Sequence, residues 1–493
     1  MMMKNEFNKL KIIIKNFKGE EPKEKFFSDI CYDSRKVSDN SVFFAIKGVS
    51  VDGHKFIENA YMNGAILVIG ELDVKAPEGR YYWKVSDSNQ AFIDTYLWYK
   101  KYPDREMDVI GITGTNGKTT ITFLLEAIFK EANLFPGVIG TINYRYGEKV
   151  VLSENTTPSF GQIVDILSDM RDAGVKVVFM EVSSHGLKQG RVTGISFKGG
   201  IFTNLTRDHL DYHNTFEDYF LSKKLLFNKI LDKSSKTDKF GVVNSDDDYG
   251  KEIIKEKYDY KLYSYGKTGE GLRIVNLRSD LNGLSLEFSF LGENYKVSSD
   301  IIGDFNGYNI AAAIETALLL DVKFDVVKAG IEKLKSVPGR MERVNNNKIV
   351  AIIDYAHTPD AIEKVLNTIH KLRIKGKLIT VFGAGGDRDT GKRKLMGNVA
   401  GIYSDIIVVT SDNPRTEDPE HIIDMVIDGI SGNKKVYREV DRRKAIKKAI
   451  KNANTGDVIV ILGKGHEDYQ IIGKKKYHFS DREVVEEYLE GVA

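Results

Sequence analysis

Val109-Ile110-Gly111-Ile112-Thr113-Gly114-Thr115-Asn116-Gly117-Lys118-Thr119-Thr120 is the stretch on which the reading of this chain turns. The β-branched run Val109–Ile112 stops at a glycine-rich turn, and the turn runs into Lys118-Thr119. Ile121, Leu124, Leu125 and Ile128 come next at i, i+3, i+4 and i+7, the spacing of one helix face. Strand, glycine-rich turn, Lys-Thr and helix together make a phosphate cradle. Glycines let backbone N–H groups approach the anion, and the helix N-terminus adds positive potential. Lys118 is placed to reach the β- and γ-phosphates of a nucleotide, and Thr119 to bind Mg²⁺. The usual pattern has glycine where this chain has Ile112, so the loop is a variant. A tight structural turn is the plainer reading of these glycines; the flanking strand and helix favour phosphate.

Outward from this loop, short β-branched runs alternate with amphipathic helices through the middle and last parts of the chain. That pattern predicts an α/β fold with mostly parallel sheets, in which ligands gather at the carboxyl ends of strands. At 493 residues, three domains are expected. Lys100–Glu106 is polar, contains Pro103 and precedes an apolar strand; Lys335–Arg340 contains Pro338 and comes after a helical pattern. Read as linkers, they give domains at 1–105, 106–335 and 336–493.

The ends of the later strands carry residues with clear chemical potential. The run Val175–Met180 ends at Glu181, with Val182-Ser183-Ser184-His185 beyond it. A carboxylate at a strand end beside a phosphate loop is where a hard cation finds its oxygen ligand, although an ordinary solvated glutamate has the same sequence appearance. Gly200–Asn204 leads into Arg207-Asp208-His209-Leu210-Asp211-Tyr212-His213, two histidines and two aspartates in one loop. Beyond it Lys223 and Lys224 sit on a helix, where a solvated face is the bland reading.

Composition narrows the classes. Lys+Arg 72 against Asp+Glu 70 leaves a formal charge of +2, which gives no reason to expect nucleic acid or an anionic membrane as partner. Cys31 is the single cysteine, which fits a reducing cytosol. The start lacks a long apolar segment, and no apolar run is long enough to span a bilayer, so a cytoplasmic protein without membrane insertion is expected.

These motifs, in this order, resemble the Mur ligase superfamily over essentially the whole chain. Gly114–Thr119, Glu181–His185, Thr203–Asp211 and Asp354-Tyr355-Ala356-His357-Thr358-Pro359 are similar to its signatures. The resemblance implies three domains: a small N-terminal α/β domain for the UDP end of the substrate, a central P-loop-type domain, and a Rossmann-like C-terminal domain. It implies an ADP-forming ligase of peptidoglycan precursor synthesis, hence of cell-wall biogenesis, cell shape and division. The match favours members that add the third peptide residue to UDP-MurNAc-L-Ala-D-Glu, acting as monomers with ATP and two Mg²⁺. Residue by residue, it implies ATP contacts from Gly114, Thr115, Asn116, Gly117, Lys118, Thr119, Thr120, Asn306, Arg340 and Asp354. It implies substrate contacts from Ser34, His54, Asn155, Thr156, Thr157, Ser183, Gln189 and Arg191. Metal ligands would be Thr119, Glu181, His209 and Lys223, the last carbamylated, with Lys224 the competing candidate; Lys118, Lys223 and His209 would carry the catalytic chemistry.

The C-terminal part indicates which amino acid is added. Gly383–Asp389, Asp412-Asn413-Pro414-Arg415 and Gly463-Lys464-Gly465-His466-Glu467 each come directly after a strand. Together they bring Arg388, Asp412, Asn413, Pro414, Arg415, Gly463 and Glu467 to one sheet edge. Two guanidiniums can clamp a carboxylate, and Glu467 can hold an ammonium. That suits a diamino diacid, meso-diaminopimelate or an analogue such as meso-lanthionine. Lysine-adding relatives usually lack the equivalent of Arg415, whose plainer role would be to cap the acidic helix start just after it. Other readings are the L-lysine-adding version of the same ligase, a folylpolyglutamate-synthase-like ligase, a P-loop GTPase switch, which lacks its Asn-Lys-x-Asp here, and a dinucleotide enzyme built on Gly383–Asp389, where Arg388 replaces the third glycine.

Overall fold

The structure is a computed structural model that describes residues 6–48, 51–206, 208, 212–346, 348–372 and 376–490. The chain forms two compact units, Met1–Lys118 with Asn133–Val243 and Tyr249–Leu262, and Thr119–Ala132 with Asn244–Asp248 and Tyr263–Ala493. Among the described residues no helix is long and apolar enough to cross a membrane.

The first unit holds two sheets. Ile30–Cys31, Val42–Phe44, Leu67–Gly70 and Tyr81–Lys84 form a four-stranded parallel sheet in chain order. Its middle strands are buried on both faces and accordingly read as unbroken apolar runs. In the second sheet Asp108–Thr113 lies between Val177–Glu181 on one side and Phe197–Phe202 on the other, all parallel. Pro136–Ile139 joins parallel to Val177–Glu181, and Asn143–Tyr146 and Lys149–Leu152 continue antiparallel to the edge. Chain order reverses direction at Asp108–Thr113, the position where open parallel sheets bind ligands.

The polar stretch read as the first linker is folded down rather than free. Lys101 and Tyr102 take left-handed backbone angles, and Pro103–Glu106 is a helical turn opened by its proline. Asp104 is buried, and its carboxylate accepts the Ser196 N–H at 2.8 Å.

In the second unit Glu342–Asn345 pairs antiparallel with Val350–Asp354. Val350–Asp354, Val458–Leu462, Leu378–Phe382, Ile406–Val409 and Lys435–Arg438 then run parallel in that order. The four strands from Val350–Asp354 to Ile406–Val409 are almost wholly buried, so three strand-end loops open side by side at one edge. The same unit carries a three-stranded antiparallel ribbon, Leu272–Asp280, Gly283–Phe290 and Glu293–Ser299, beside the helix Asp304–Leu319.

Candidate active site

The register of the first unit's sheet assembles the phosphate loop and its neighbours. Ile112 pairs with Glu181 and Thr113 with Phe202, so the loop after Asp108–Thr113 emerges between the loops at the ends of the two flanking strands. Gly114 has φ +141°, and a β-carbon there would lie 1.8 Å from the Thr203 hydroxyl, so only glycine fits. Thr203 donates to the Asn116 carbonyl at 2.6 Å, the Thr115 N–H to the Asn204 carbonyl at 2.8 Å, and the Asn116 N–H to the Asn204 amide oxygen at 3.1 Å. The Thr115 hydroxyl accepts the Thr206 N–H at 3.0 Å and lies 3.0 Å from the Tyr219 hydroxyl. The loop is thus held by side chains from the adjacent strand end. Thr119 and Thr120 are buried at the start of the helix Lys118–Glu131, whose Ile121, Leu124, Leu125 and Ile128 face inward as their spacing predicts.

Lys118 Nζ donates to the carbonyls of Gly114 at 2.8 Å and Thr115 at 2.9 Å. Lys223 Nζ donates to the same Gly114 oxygen at 2.8 Å, is 1 % exposed, and lies 4.6 Å from the Tyr219 ring centre. Burial, and then the like charge of Lys118, hold the Lys223 amine well below the ordinary lysine value; Asp208 opposes them. Lys224, one residue on, is ion-paired to Glu256 instead.

Glu181 is 1 % exposed, and its carboxylate accepts the Thr141 N–H at 3.0 Å and the Thr141 hydroxyl at 2.9 Å. Thr141 was not singled out from sequence, because it stands on a different strand end and only the pairing of Pro136–Ile139 with Val177–Glu181 brings it there. Its hydroxyl lies 3.1 Å from that of Thr156. Thr157 donates to the Glu181 carbonyl at 2.9 Å, and Arg191 donates to the Thr157 carbonyl at 2.6 Å and to the Gln189 amide oxygen at 2.6 Å. The Ser183 hydroxyl caps its helix by accepting the Gly186 N–H at 3.1 Å, while Asn155 is exposed. Thr156, Thr157, Ser183, Gln189 and Arg191 therefore meet beside Glu181. His209 lies outside the described residues. His213, from the same loop, is fully buried and bridges Ser184 at 2.9 Å and Asp218 at 3.3 Å; burial pulls its basicity down.

Two residues carried over by resemblance are already engaged within the protein. His54 Nδ1 lies 2.7 Å from Asp52, and its Nε2 accepts the Glu71 N–H at 2.8 Å. The proton therefore sits on Nδ1, and the ring staples Asp52-Gly53 to the end of Leu67–Gly70. Ser34 opens a short helical turn capped by Asp33, and its carbonyl accepts from Asn63 at 2.9 Å.

In the second unit Asn306 is buried, donating to the Ile302 carbonyl at 2.8 Å and accepting from Asn309 at 2.8 Å. Asp354, at its strand end, accepts the N–H groups of Met341 and Ala356, both at 2.8 Å, and burial raises its carboxyl. Arg340 lies 4.9 Å from the Tyr355 ring centre.

The three neighbouring strand-end loops interlock. A β-carbon on Gly385 would stand 3.2 Å from Arg415 Nη1 and 3.8 Å from Arg388 Cγ, so the two arginines flank this glycine. Arg415 donates to the Gly386 carbonyl at 2.6 Å, and it is Arg393 that forks onto Glu417 at 2.8 Å with both terminal nitrogens. Arg415 thus does not cap the acidic helix start beyond it. Its backbone is left-handed, φ +52°, and is tied to the hairpin Tyr469–Ile472/Lys475–His478: its N–H donates to Ile471 at 3.1 Å and its carbonyl accepts from Gly473 at 2.7 Å. Asn413 donates to Glu467 at 3.1 Å. Pro414 is packed against Gly386, and a β-carbon on Gly463 would lie 2.6 Å from Asp412 Oδ2. That oxygen is 3.9 Å from Arg442, which forms a fully buried fork with Asp481 at 2.7 Å on both oxygens. Arg442 and Asp481 carried no sequence signal, lying far apart within ordinary helix patterns.

Comparison with known proteins covers the same segments. Residues 27–90 match the model described as Mur ligase family, catalytic domain; 112–317 match the Mur ligase middle domain; 339–465 match the Mur ligase glutamate ligase domain. The chain is 47 % identical to a UDP-N-acetylmuramoyl-L-alanyl-D-glutamate–2,6-diaminopimelate ligase from Aquifex aeolicus, covering 98 % of this chain and 95 % of that protein. It is 42 % identical to a Clostridium botulinum protein of the same name, with 98 % and 100 % coverage. A solved structure of a ligase of that name superposes with a TM-score of 0.73 at 32 % identity, over 99 % of each chain. Three matched segments in order, whole-length relatives and a phosphate loop built between two strand ends all lead to one conclusion: this chain belongs to the Mur ligase family.

Proposed function

We propose that the protein is an ATP-dependent ligase that joins 2,6-diaminopimelate, or a diamino diacid of the same shape, to the D-glutamyl γ-carboxylate of UDP-MurNAc-L-Ala-D-Glu. The observation that carries the reading is that Arg388 and Arg415 both border Gly385, with Glu467 on the neighbouring loop bonded to Asn413. Guanidiniums suit a carboxylate and Glu467 an ammonium, so residues of this edge suit an amino acid with a second zwitterionic end. The whole-length relatives named for 2,6-diaminopimelate support it. Domains at 1–105, 106–335 and 336–493, for the uridine end, for ATP and the muramoyl-dipeptide, and for the amino acid, belong to the same reading.

In the reaction the γ-carboxylate oxygen attacks the γ-phosphorus of ATP, giving an acyl phosphate and ADP. The amine nitrogen then attacks the acyl carbon, phosphate leaves, and the nitrogen loses its extra proton. Lys118, released from Gly114 and Thr115, is the group that counters charge on the transferring oxygens. Thr156, Thr157, Ser183, Gln189 and Arg191 orient the dipeptide, with Asn155 on the same loop. Asn306, Arg340 and Asp354 would contact the nucleotide, and Ser34 and His54 the uridine end. Two Mg²⁺ ions would supply charge neutralisation for triphosphate and carboxylate. The donor set fits them under one condition: Glu181 offers a buried carboxylate and Thr119 a hydroxyl, but Lys223 as an amine is a donor and offers oxygen only as a carbamate. The unprotonated amine is the form that adds CO₂, and burial and the like charge of Lys118 both shift Lys223 toward it. His209 completes the proposed ligands.

The deciding experiment is ADP release with ATP, the muramoyl-dipeptide and a panel of diaminopimelate, lanthionine and lysine. Release stimulated most by diaminopimelate supports the reading. Preference for lysine removes the role of Arg415, and release indifferent to any amino acid removes the ligase.

A further inference from the structure

Lys464 is a fully buried lysine between the Arg415 loop and Glu467, and the chemistry described above makes no use of it. Its Nζ donates to the Asn413 side-chain oxygen at 3.0 Å and to the Tyr469 carbonyl at 2.7 Å, and lies 3.7 Å from Glu467. The Asn413 oxygen also accepts the Ile471 N–H at 2.9 Å. Two donors on one oxygen leave the amide a single orientation, with its NH₂ turned the other way, and there it donates to Glu467 Oε2 at 3.1 Å. Were the amide reversed, two donors would face an NH₂ and Glu467 would face an oxygen, three repulsive contacts in a water-poor place. The Tyr469 hydroxyl reaches the other Glu467 oxygen at 3.4 Å.

We propose that Lys464 is a positioning residue for amino-acid selection: by fixing the Asn413 amide it sets the Glu467 carboxylate to receive the distal ammonium of the incoming diamino acid. Lys464 does not touch the amino acid; it acts through Asn413. Its own charge also matters. Its Nζ stands 3.7 Å from Glu467 Oε2, where a positive charge offsets part of that of the carboxylate. The inference rests on the assignment of Glu467 to the distal ammonium.

The test compares diaminopimelate with 2-aminopimelate, which has the same carboxylates and no distal amine, in the full-length enzyme with ATP and the muramoyl-dipeptide. For Lys464→Met the KM for diaminopimelate should rise about 10- to 100-fold, KM for ATP should stay within about twofold, and the preference for diaminopimelate over 2-aminopimelate should shrink by a similar factor. Asn413→Asp keeps the acceptor for Lys464 but removes the N–H to Glu467, and should lose the same preference even if Lys464→Met does not fold. Combining Lys464→Met with Glu467→Gln should give no further loss beyond Glu467→Gln alone. An unchanged preference in Lys464→Met or Asn413→Asp, or a fall in kcat alone, overturns the proposal. A wild-type enzyme that does not distinguish the two acids overturns the Glu467 assignment itself, and the proposal with it.

Discussion

Lys118 and Lys223 direct their ammonium groups onto one acceptor, each Nζ standing 2.8 Å from the carbonyl oxygen of Gly114. Two like charges on one oxygen, one of them fully buried, are a poor resting arrangement for a pair of cations and a good one for a cation and a neutral amine.

The first prediction concerns that pair. The enzyme incubated with ¹³C-bicarbonate should show a carbamate carbon resonance that is missing in Lys223→Ala and kept in Lys224→Ala, since Lys224 is ion-paired to Glu256. Lys118→Met removes the like charge that disfavours protonation of Lys223, so the resonance should weaken without vanishing, while ADP formation falls by about 10²-fold or more. A signal lost equally from the Lys224 variant would place the modification elsewhere.

A second prediction concerns Arg415. If Arg415 clamps the distal carboxylate as proposed, replacement by alanine removes a charge-assisted contact of about 1.5–3 kcal/mol, so KM for diaminopimelate should rise about 10- to 100-fold, with KM for ATP unmoved. Lysine, which has no distal carboxylate, should be little affected as a poor substrate. Steady-state kinetics with the two amino acids checks both statements.

The Arg442–Asp481 fork makes a stability prediction. Arg442→Met strands a buried carboxylate and should destabilise by ~3–5 kcal/mol. Pairing it with Asp481→Leu should recover most of that loss. Urea midpoints of the two single variants and the double give the comparison.

Glu315 makes a pH prediction. It is fully buried on the helix Asp304–Leu319, and burial raises its carboxyl from 4.5 to about 8, partly offset by the Leu272 amide. The folded chain holds a proton that the unfolded chain releases above its ordinary value. This contribution to stability is therefore complete below about pH 4.5, declines as pH rises towards 8, and is flat beyond. Glu315→Gln should remove the decline, so the difference in urea midpoint between variant and wild type should widen in favour of the variant from pH 5 to 8.

Local chemistry was legible in the sequence wherever it repeats along the chain. Gly114, Lys118 and the inward face of Ile121, Leu124, Leu125 and Ile128 are set by a single turn and a helical period, so they can be read without knowing the sheet. Glu181 was legible as an acid at a strand end, but its partner Thr141 depends on which strands pair, and nothing local fixes that. Lys464 sat in view inside Gly463–Glu467; its importance comes from burial under the hairpin Tyr469–His478, which reads as an ordinary surface ribbon. His54 was assigned by resemblance to the uridine end, and both its ring nitrogens turn out to bind the loop and strand around it. The stretch Lys100–Glu106 has linker composition, and the hydrogen bond that its buried Asp104 accepts from the distant Ser196 was not legible there.

The left-handed backbone of Arg415 has a consequence for how this loop can vary. With its N–H and carbonyl both committed to the hairpin, the main chain beneath the guanidinium is anchored before any amino acid arrives, and binding need freeze only side-chain torsions. A β-branched replacement would meet steric resistance at φ +52°, whereas asparagine or glycine would be accommodated. Changes of amino-acid preference at this position are therefore channelled toward a few unbranched residues, and a shift toward valine, isoleucine or threonine would require the hairpin to be rebuilt first.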